Sequence, residues 1–259
     1  MKIDKLMIIP QKDKLSEYVE LSREYGFGFE YNDFFLPSLL DDEVELDRRI
    51  ELYNRPENKP LFSTVHGAFF DVTVFSDDPK IREVADLRVR QSLDVAKKLG
   101  ASAVIFHTNY ISNFLLESYR DNWVNKNAVY WSEKLKEYPM LNIYIENMFD
   151  VDCELLARLG EQMKEYPNFG ICLDYAHAHV FGEDWDIDNW VRTLAPYVKH
   201  LHINDNDFVR DLHLAVGDGK IDWWQFKQYY EQYFTKASVL LEVTGLTKIN
   251  QSLEYLMGI

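Results

Sequence analysis

Six side chains of types that commonly bind metal ions each stand at the end of an apolar run of this sequence. In chain order they are His66, His107, Glu146, Asp174, His202 and Glu242, which follow LFSTV, SAVIF, LNIYI, ICL, VKHL and SVLL. Imidazole and carboxylate groups together suit divalent ions such as Zn²⁺, Mn²⁺ or Fe²⁺. The same kind of side chain at the same place in successive apolar runs predicts a metal site.

Three further polar residues belong with these six. His177 follows Asp174 by three positions, and Asp211 and His213 form an Asp-x-His pair ahead of the turn Gly217-Asp218-Gly219. The resulting nine residues exceed what one ion needs. Because carboxylates can bridge, the set could hold between one and three divalent ions.

The elements that position these residues alternate between strand and helix patterns. Strands are predicted near 4–9, 27–31, 61–66, 102–107, 141–146, 169–174, 199–204 and 238–243. Helices are predicted near 13–25, 41–53, 79–99, 119–137, 152–165, 187–196, 221–234 and 247–257. Eight such units predict an α/β protein with a single (β/α)8 TIM barrel domain over residues 1–259. The carboxyl ends of the strands then meet on one rim, where active sites of this fold are built.

Composition and charge narrow the classes of partner. The chain has 259 residues, 47% of them hydrophobic, and a net charge of −15. That charge disfavours nucleic acid or an anionic membrane as a partner, and no apolar stretch approaches the roughly 20 residues of a membrane span. MKIDKLMIIP reads as a first barrel strand and not as a secretory signal. Since Cys153 and Cys172 match no zinc-binding spacing, we expect a reduced, cytoplasmic protein.

The sequence resembles the xylose isomerase-like TIM barrels, a superfamily that includes sugar isomerases and epimerases and the endonuclease IV family. The resemblance extends over the whole chain and rests on VHG at 65–67, FH at 106–107, IEN at 145–147, LDYAH at 173–177, HLHIND at 200–205, DLHLAVGDGKIDW at 211–223 and LLEV at 240–243. It implies that Glu146, Asp174, His202 and Glu242 match the single-metal set of the sugar isomerases, in which the two glutamates are the acid/base pair and His177 touches substrate. It equally implies that all nine residues match the trinuclear zinc set of the endonuclease IV type.

Two departures bear on the choice between these branches. Endonuclease IV proteins carry basic and aromatic DNA-penetrating loops after the second and third strands, but here the segments 32–47 and 67–79 are acidic and apolar. Ketose epimerases place an arginine a few residues beyond the equivalent of His202. This chain has Asn204-Asp205-Asn206-Asp207-Phe208 there, and Arg210 is offset.

The first functional hypothesis is a metal-dependent isomerase or epimerase of a small sugar or sugar-like substrate. Manganese or zinc would stabilise an enediolate, while Glu146 and Glu242 move the proton as base and acid. The alternative is an endonuclease IV-type multinuclear zinc phosphodiesterase that cleaves DNA or a small phosphoester. A third reading, from another class, is a non-catalytic sugar- or metal-binding barrel.

Residues of the predicted rim loops complete the candidate site. Substrate contacts are predicted for His177, Phe70, Tyr110 and Lys220, whereas His200 is expected to be a hydrogen-bonded structural residue. Aromatic residues are expected to wall a pocket for a small polar substrate, and they are Phe34, Phe35, Phe69, Phe70, Tyr110, Phe149, Tyr175, Phe181, Trp185 and Phe208. Whether the chain forms a homo-oligomer is left open.

Overall fold

Eight parallel strands close into one barrel in which each strand pairs with its sequence neighbours and β8 pairs with β1. The computed structural model describes residues 1–70, 72–112, 114, 116–183 and 186–259. The strands are β1 Leu6–Ile8, β2 Gly28–Tyr31, β3 Ser63–His66, β4 Ala103–His107, β5 Asn142–Glu146, β6 Phe169–Asp174, β7 Val198–Ile203 and β8 Ser238–Leu241. The predicted (β/α)8 barrel is confirmed, with each strand within a few residues of its expected position.

Helices surround the barrel on the outside. In the described part of the chain they are α1 Leu15–Tyr25, α2 Pro37–Leu40, α3 Glu43–Asn54, α4 Pro79–Leu99, α5 Glu117–Glu137, α6 Glu154–Met163, α7 Tyr175–Phe181, α8 Ile187–Leu194, α9 Trp223–Tyr229 and α10 Leu246–Gly258. Pro79 opens α4, and Gly100 ends it in the left-handed conformation at φ 70°. None of the helices described is both long and apolar enough to cross a bilayer.

Three helical regions differ from the sequence prediction. The helix expected over 41–53 is α3, whose start is fixed by the Asp42 side chain accepting a hydrogen bond from the Glu45 backbone N–H, but the short helix α2 before it was not expected. The predicted helix 221–234 begins at Trp223 and ends in a π-helical turn over Tyr230–Phe234. Helix α7 was not expected, since it starts directly after β6 with no intervening loop.

Side chains alternate along the strands between the barrel interior and the outer core. In β7, Leu201 and Ile203 belong to the large hydrophobic core that packs the sheet against the helices. His200 and His202 therefore point into the barrel. Among the described residues, Ala103, Ile105, Tyr144 and Cys172 form a small apolar cluster that is separate from this core. The rest of the interior at the strands' carboxyl ends is polar, and this is where the candidate site lies.

Candidate metal centre

The nine residues selected from the sequence converge at the carboxyl end of the barrel. Five of the six strand-end residues lie in the last two positions of β3 to β7, and Glu242 directly follows β8. His177 lies in α7, and Asp211 and His213 lie in the loop between β7 and α9. Their ligand atoms fall into three groups, each with all atoms within 4.8 Å of one another.

The first group consists of His66, His107 and Glu146. The Nε2 atoms of His66 and His107 lie 3.7 and 3.5 Å from Oε2 of Glu146. All three side chains are buried. One oxygen and two nitrogens thus face a common point, as the ligands of a single ion would.

The second group consists of Glu146, Asp174, His202 and Glu242. His202 Nδ1 lies 3.1 Å from Oε1 of Glu146 and 3.7 Å from Oε2 of Glu242. Glu146 therefore presents one carboxylate oxygen to each of the first two groups, which is the arrangement of a bridging ligand.

The third group consists of His177, Asp211 and His213. Oδ2 of Asp211 lies 3.4 Å from Nε2 of His177 and 3.0 Å from Nε2 of His213. The loop pair Asp211 and His213 is thus brought onto the barrel mouth beside the helix residue His177.

Hydrogen bonds to the backbone orient three of the imidazoles. Nδ1 of His66, His177 and His213 contacts the carbonyl oxygens of Gly67, Asn147 and Glu242 at 3.1, 2.9 and 2.9 Å. Because a carbonyl only accepts, each Nδ1 carries a proton, so Nε2 is the atom that could bind a metal ion once it has lost its own proton. In all three residues Nε2 is the atom that faces the group's carboxylate, as metal ligation requires.

Several buried oxygen and nitrogen atoms of the three groups have no hydrogen-bond partner in the described part of the chain, which bears on whether a metal ion fits there. Among the described residues these include Oε2 of Glu146, Oδ2 of Asp174, Nε2 of His177 and Oδ1 of Asp211. Unpaired polar atoms are costly in a protein interior, and these four belong to the three groups. Divalent ions coordinated there would satisfy them, so the residues present fit a metal centre.

Burial and the surrounding acidic groups shift the pKa values of three imidazoles of the centre in opposite directions. Burial disfavours a charged His213, but the carboxylates of Asp211 and Glu242 raise its pKa to about 10. Burial likewise opposes charge on His177 and His202, yet neighbouring acidic groups raise the pKa of each well above its usual range. Protons on these imidazoles balance the carboxylates, and bound cations would replace them.

Cys172, His200 and His202 form a fourth group with metal-ligand spacing. Burial raises the pKa of the Cys172 thiol well above its usual range, which disfavours the thiolate that binds metal. Both ring nitrogens of His200 are also occupied, by Oγ of Ser238 at 2.6 Å and Oε2 of Glu30 at 3.1 Å. The expectation that His200 is a hydrogen-bonded structural residue is therefore confirmed.

Glu30 is an interior residue that the sequence analysis missed. Its side chain is completely buried, and Oε2 accepts hydrogen bonds from His200 and from Oγ1 of Thr64 at 2.6 Å. Although burial opposes ionisation, His202 and His200 lower the pKa of Glu30 well below its usual range. The available signal was an acidic residue at the end of the apolar stretch FGF in a predicted strand.

The predicted substrate contacts lie in different surroundings. Phe70 is exposed and its ring is nearly parallel to that of Phe149, whereas Tyr110 is buried and its hydroxyl donates to the carbonyl of Phe114. Lys220 is exposed beside the Gly219 turn. Substrate binding by these residues stays a prediction.

Of the other aromatic residues predicted on the rim, some lie beside the candidate ligands and some are buried in the core. Phe69 packs edge-on against the His107 ring, with centroids 4.4 Å apart. Phe34 and Tyr175 are fully buried and belong to the core. Trp185 lies outside the described residues. Arg210 pairs with Asp207 at 2.8 Å and is mostly exposed.

This fold and constellation define a class of protein, the TIM barrels with a cluster of histidine and carboxylate ligands on the carboxyl rim. Residues 19–258 match the xylose isomerase-like TIM barrel family, and the chain belongs to that family. The uncharacterized protein MJ1614 of Methanocaldococcus jannaschii is 29% identical over 202 residues, which is 71% of each chain. A probable endonuclease 4 of Mycobacterium leprae is 26% identical over 170 residues, or 61% of this chain and 64% of the relative.

Solved structures of both enzymatic branches share the fold. The TTHB071 protein of Thermus thermophilus, soaked with zinc chloride, has a TM-score of 0.75 at 22% identity and covers 99% of this chain and 97% of its own. A D-tagatose 3-epimerase-like protein matches with a TM-score of 0.75, 22% identity and coverage of 98% and 96%. Endonuclease IV of Thermus thermophilus has a TM-score of 0.65 at 16% identity, with coverage of 98% and 97%. At these identities the likeness shows the fold alone.

Proposed function

We propose that this protein is a phosphoester hydrolase whose centre holds several divalent metal ions, zinc foremost. The observation that carries the proposal is the shared carboxylate of Glu146, with Oε2 in the first group and Oε1 in the second. The third group adds an imidazole–carboxylate–imidazole set beside it. One ion cannot use nine ligands, whereas three ions, one in each group and two of them held by Glu146, would use them all.

The reaction class follows from what such a centre does. Bound ions would neutralise a phosphate and lower the pKa of a water molecule, as in other multinuclear hydrolases. The chain's own contribution is to hold the ligands in place: backbone carbonyls fix His66, His177 and His213, and the α7 backbone N–H of His177 donates to Oδ1 of Asp174 at 2.6 Å. Divalent ions held by such oxygen and nitrogen ligands could also bind the phosphoryl oxygens of a substrate.

The surroundings of the centre favour a small phosphoester over duplex DNA. The segments 32–47 and 67–79 contain no lysine or arginine, and the chain as a whole carries a net charge of −15. A polyanion would meet repulsion beyond the reach of the ions themselves. Because some relatives are named endonuclease 4, DNA is included as a substrate in the experiment below.

The decisive experiment combines metal content with hydrolysis. Protein purified without chelator should contain close to three zinc ions per chain and cleave bis(p-nitrophenyl) phosphate. His66→Ala should lower both the zinc content and the rate. His179→Gln is the matched control, because His179 lies at the same barrel mouth but in none of the ligand groups. One ion per chain and no phosphoester cleavage would overturn the proposal, and cleavage of an abasic-site duplex at comparable rates would replace the small substrate with DNA.

The second candidate is the isomerase or epimerase of a small sugar. The observation in its favour is that Glu146, Asp174, His202 and Glu242 form a complete four-ligand site by themselves, with two glutamates available for proton transfer. One manganese or zinc ion per chain and interconversion of ketose epimers would support it. In that case Glu146→Gln and Glu242→Gln should abolish activity with the metal retained, and full activity in either would exclude it.

A further inference from the structure

The imidazole of His202 is oriented differently from the imidazoles of His66, His177 and His213. Those three bind a backbone carbonyl through Nδ1 and present Nε2 to the centre. His202 is reversed: its Nδ1 faces Glu146, and its Nε2 points down the barrel toward Oε1 of Glu30 at 3.1 Å. A carboxylate thus takes the place that a neutral carbonyl takes elsewhere.

Neither of the two facing atoms makes a hydrogen bond within the part of the chain that the structure describes. Oε1 of Glu30 and Nε2 of His202 are both buried, and their contact is close but not aligned as a hydrogen bond. A small rotation of the imidazole would align it. Coordination of Nδ1 by an ion fixes the ring and leaves the proton on Nε2, so metal binding would complete this bond.

Glu30 itself is held rigidly for such a role. Its other oxygen, Oε2, accepts from Oγ1 of Thr64 at 2.6 Å and from Nε2 of His200 at 3.1 Å. His200 is held in turn by Ser238. The carboxylate of Glu30 is therefore fixed from strands β3 and β7, and its free oxygen is directed at His202.

We propose that Glu30 is a positioning residue for the metal centre. Its carboxylate accepts the Nε2–H of His202 and so holds the ring with Nδ1 facing the ion of the second group. The inference rests on the proposed function only in requiring that this group bind a metal. A charged partner makes the imidazole a stronger ligand than a carbonyl does. The loss of Glu30's charge should therefore weaken one ion of the centre selectively.

The test uses Glu30→Gln, which keeps the size of the side chain and removes its charge. Cobalt-substituted protein reports the ligand geometry through its visible absorption bands, and chelator competition reports affinity. We expect Glu30→Gln to shift the bands and to weaken one bound ion by about 10- to 100-fold. Ser22→Ala is the control, because it removes a buried hydrogen bond of similar length, from Oγ of Ser22 in α1 to the carbonyl of Phe27 at 2.6 Å, and touches none of the residues around Glu30. It should keep the wild-type bands and affinity.

The outcomes separate this inference from the proposed function. Wild-type protein that binds no divalent ion would remove both. Wild-type binding with unchanged bands and affinity in Glu30→Gln would overturn the role of Glu30 alone. If Glu30→Gln does not fold, nitrogen NMR of wild-type protein loaded with ¹¹³Cd decides the matter: one-bond coupling to Nδ1 of His202 with a proton on Nε2 is expected, and coupling to Nε2 would overturn the inference.

Discussion

Asp205 lies two residues after the end of β7 and holds the loop from 206 to 222, which carries Asp211 and His213. Its buried carboxylate accepts four hydrogen bonds. Oδ1 accepts from the backbone N–H groups of Asn206 at 2.9 Å and Ile221 at 3.2 Å. Oδ2 accepts from the backbone N–H of Gly217 at 2.9 Å and from the indole N–H of Trp223 at 2.8 Å. Both ends of the loop are thus tied to one side chain.

The substitution Asp205→Asn replaces one of these two acceptor oxygens with a donor. Whichever way the amide turns, two of the four N–H groups then face another N–H. A buried donor left unpaired costs about 1–3 kcal/mol, so the expected loss in unfolding free energy is about 2–6 kcal/mol. Since domains are stable by about 5–15 kcal/mol, the barrel should still fold, but with a loosened loop. The ion of the third group should be lost first, because Asp211 and His213 both belong to that loop.

Urea denaturation and zinc content per chain measure the two effects. Asp222→Asn is the matched control, because it makes the same chemical change at the end of the same loop. There a single oxygen accepts from the N–H groups of Trp224 and Gln225, which an asparagine can also do. An Asp205→Asn protein with wild-type stability and an unchanged zinc content would refute the reasoning.

Three further predictions concern other parts of the structure. Burial raises the pKa of Asp150 to about 6, above the roughly 3.9 of an unfolded chain. The folded state then binds the proton more tightly, so chelator-treated protein should lose about 3 kcal/mol of stability as pH rises from about 4 to 6, and Asp150→Asn should remove that loss in urea titrations. Gly67→Ala would place a Cβ 2.3 Å from the Phe106 ring, which should cost about 1–3 kcal/mol by thermal unfolding. Phe70→Ala should raise KM for the best phosphoester substrate and leave zinc content unchanged, because the exposed ring contacts no ligand residue by the ring contacts described.

The positions of the candidate ligands were predictable because they follow a rule of topology. A parallel barrel brings the carboxyl ends of its strands onto one rim, so a polar residue after an apolar run identifies a rim position without any knowledge of distances. His66, His107 and Glu146 were found this way and form one group in the structure. The pairing of Glu146 with two groups could not be predicted, because it depends on which way each carboxylate oxygen turns.

Residues inside the barrel were harder to predict for a related reason. Glu30 and Thr64 lie one layer below the rim and are not the last residues of their strands. Counting back by two from His202 to His200 and from His66 to Thr64 follows the period of a strand and gives the interior layer. Treating each strand as uniformly buried hid this alternation. Helix α7 was missed because it follows β6 without a turn signal.

The buried acidic groups of the centre make metal binding depend on pH. Five acidic side chains converge here, namely Glu30, Glu146, Asp174, Asp211 and Glu242. Burial raises the pKa of Asp174 well above its usual range, but an unbalanced charge on the other four would be costly. Nearby acidic groups overcome burial to raise the pKa of His177 and His202, and that of His213 to about 10, so in the absence of metal protonated imidazoles provide the balance. Each ion that binds must displace such protons, so uptake should weaken as pH falls. The second group is common to a hydrolase and an isomerase, and only the other two groups add ligands that an isomerase does not require. The number of ions bound at neutral pH is therefore the quantity that separates the two chemistries.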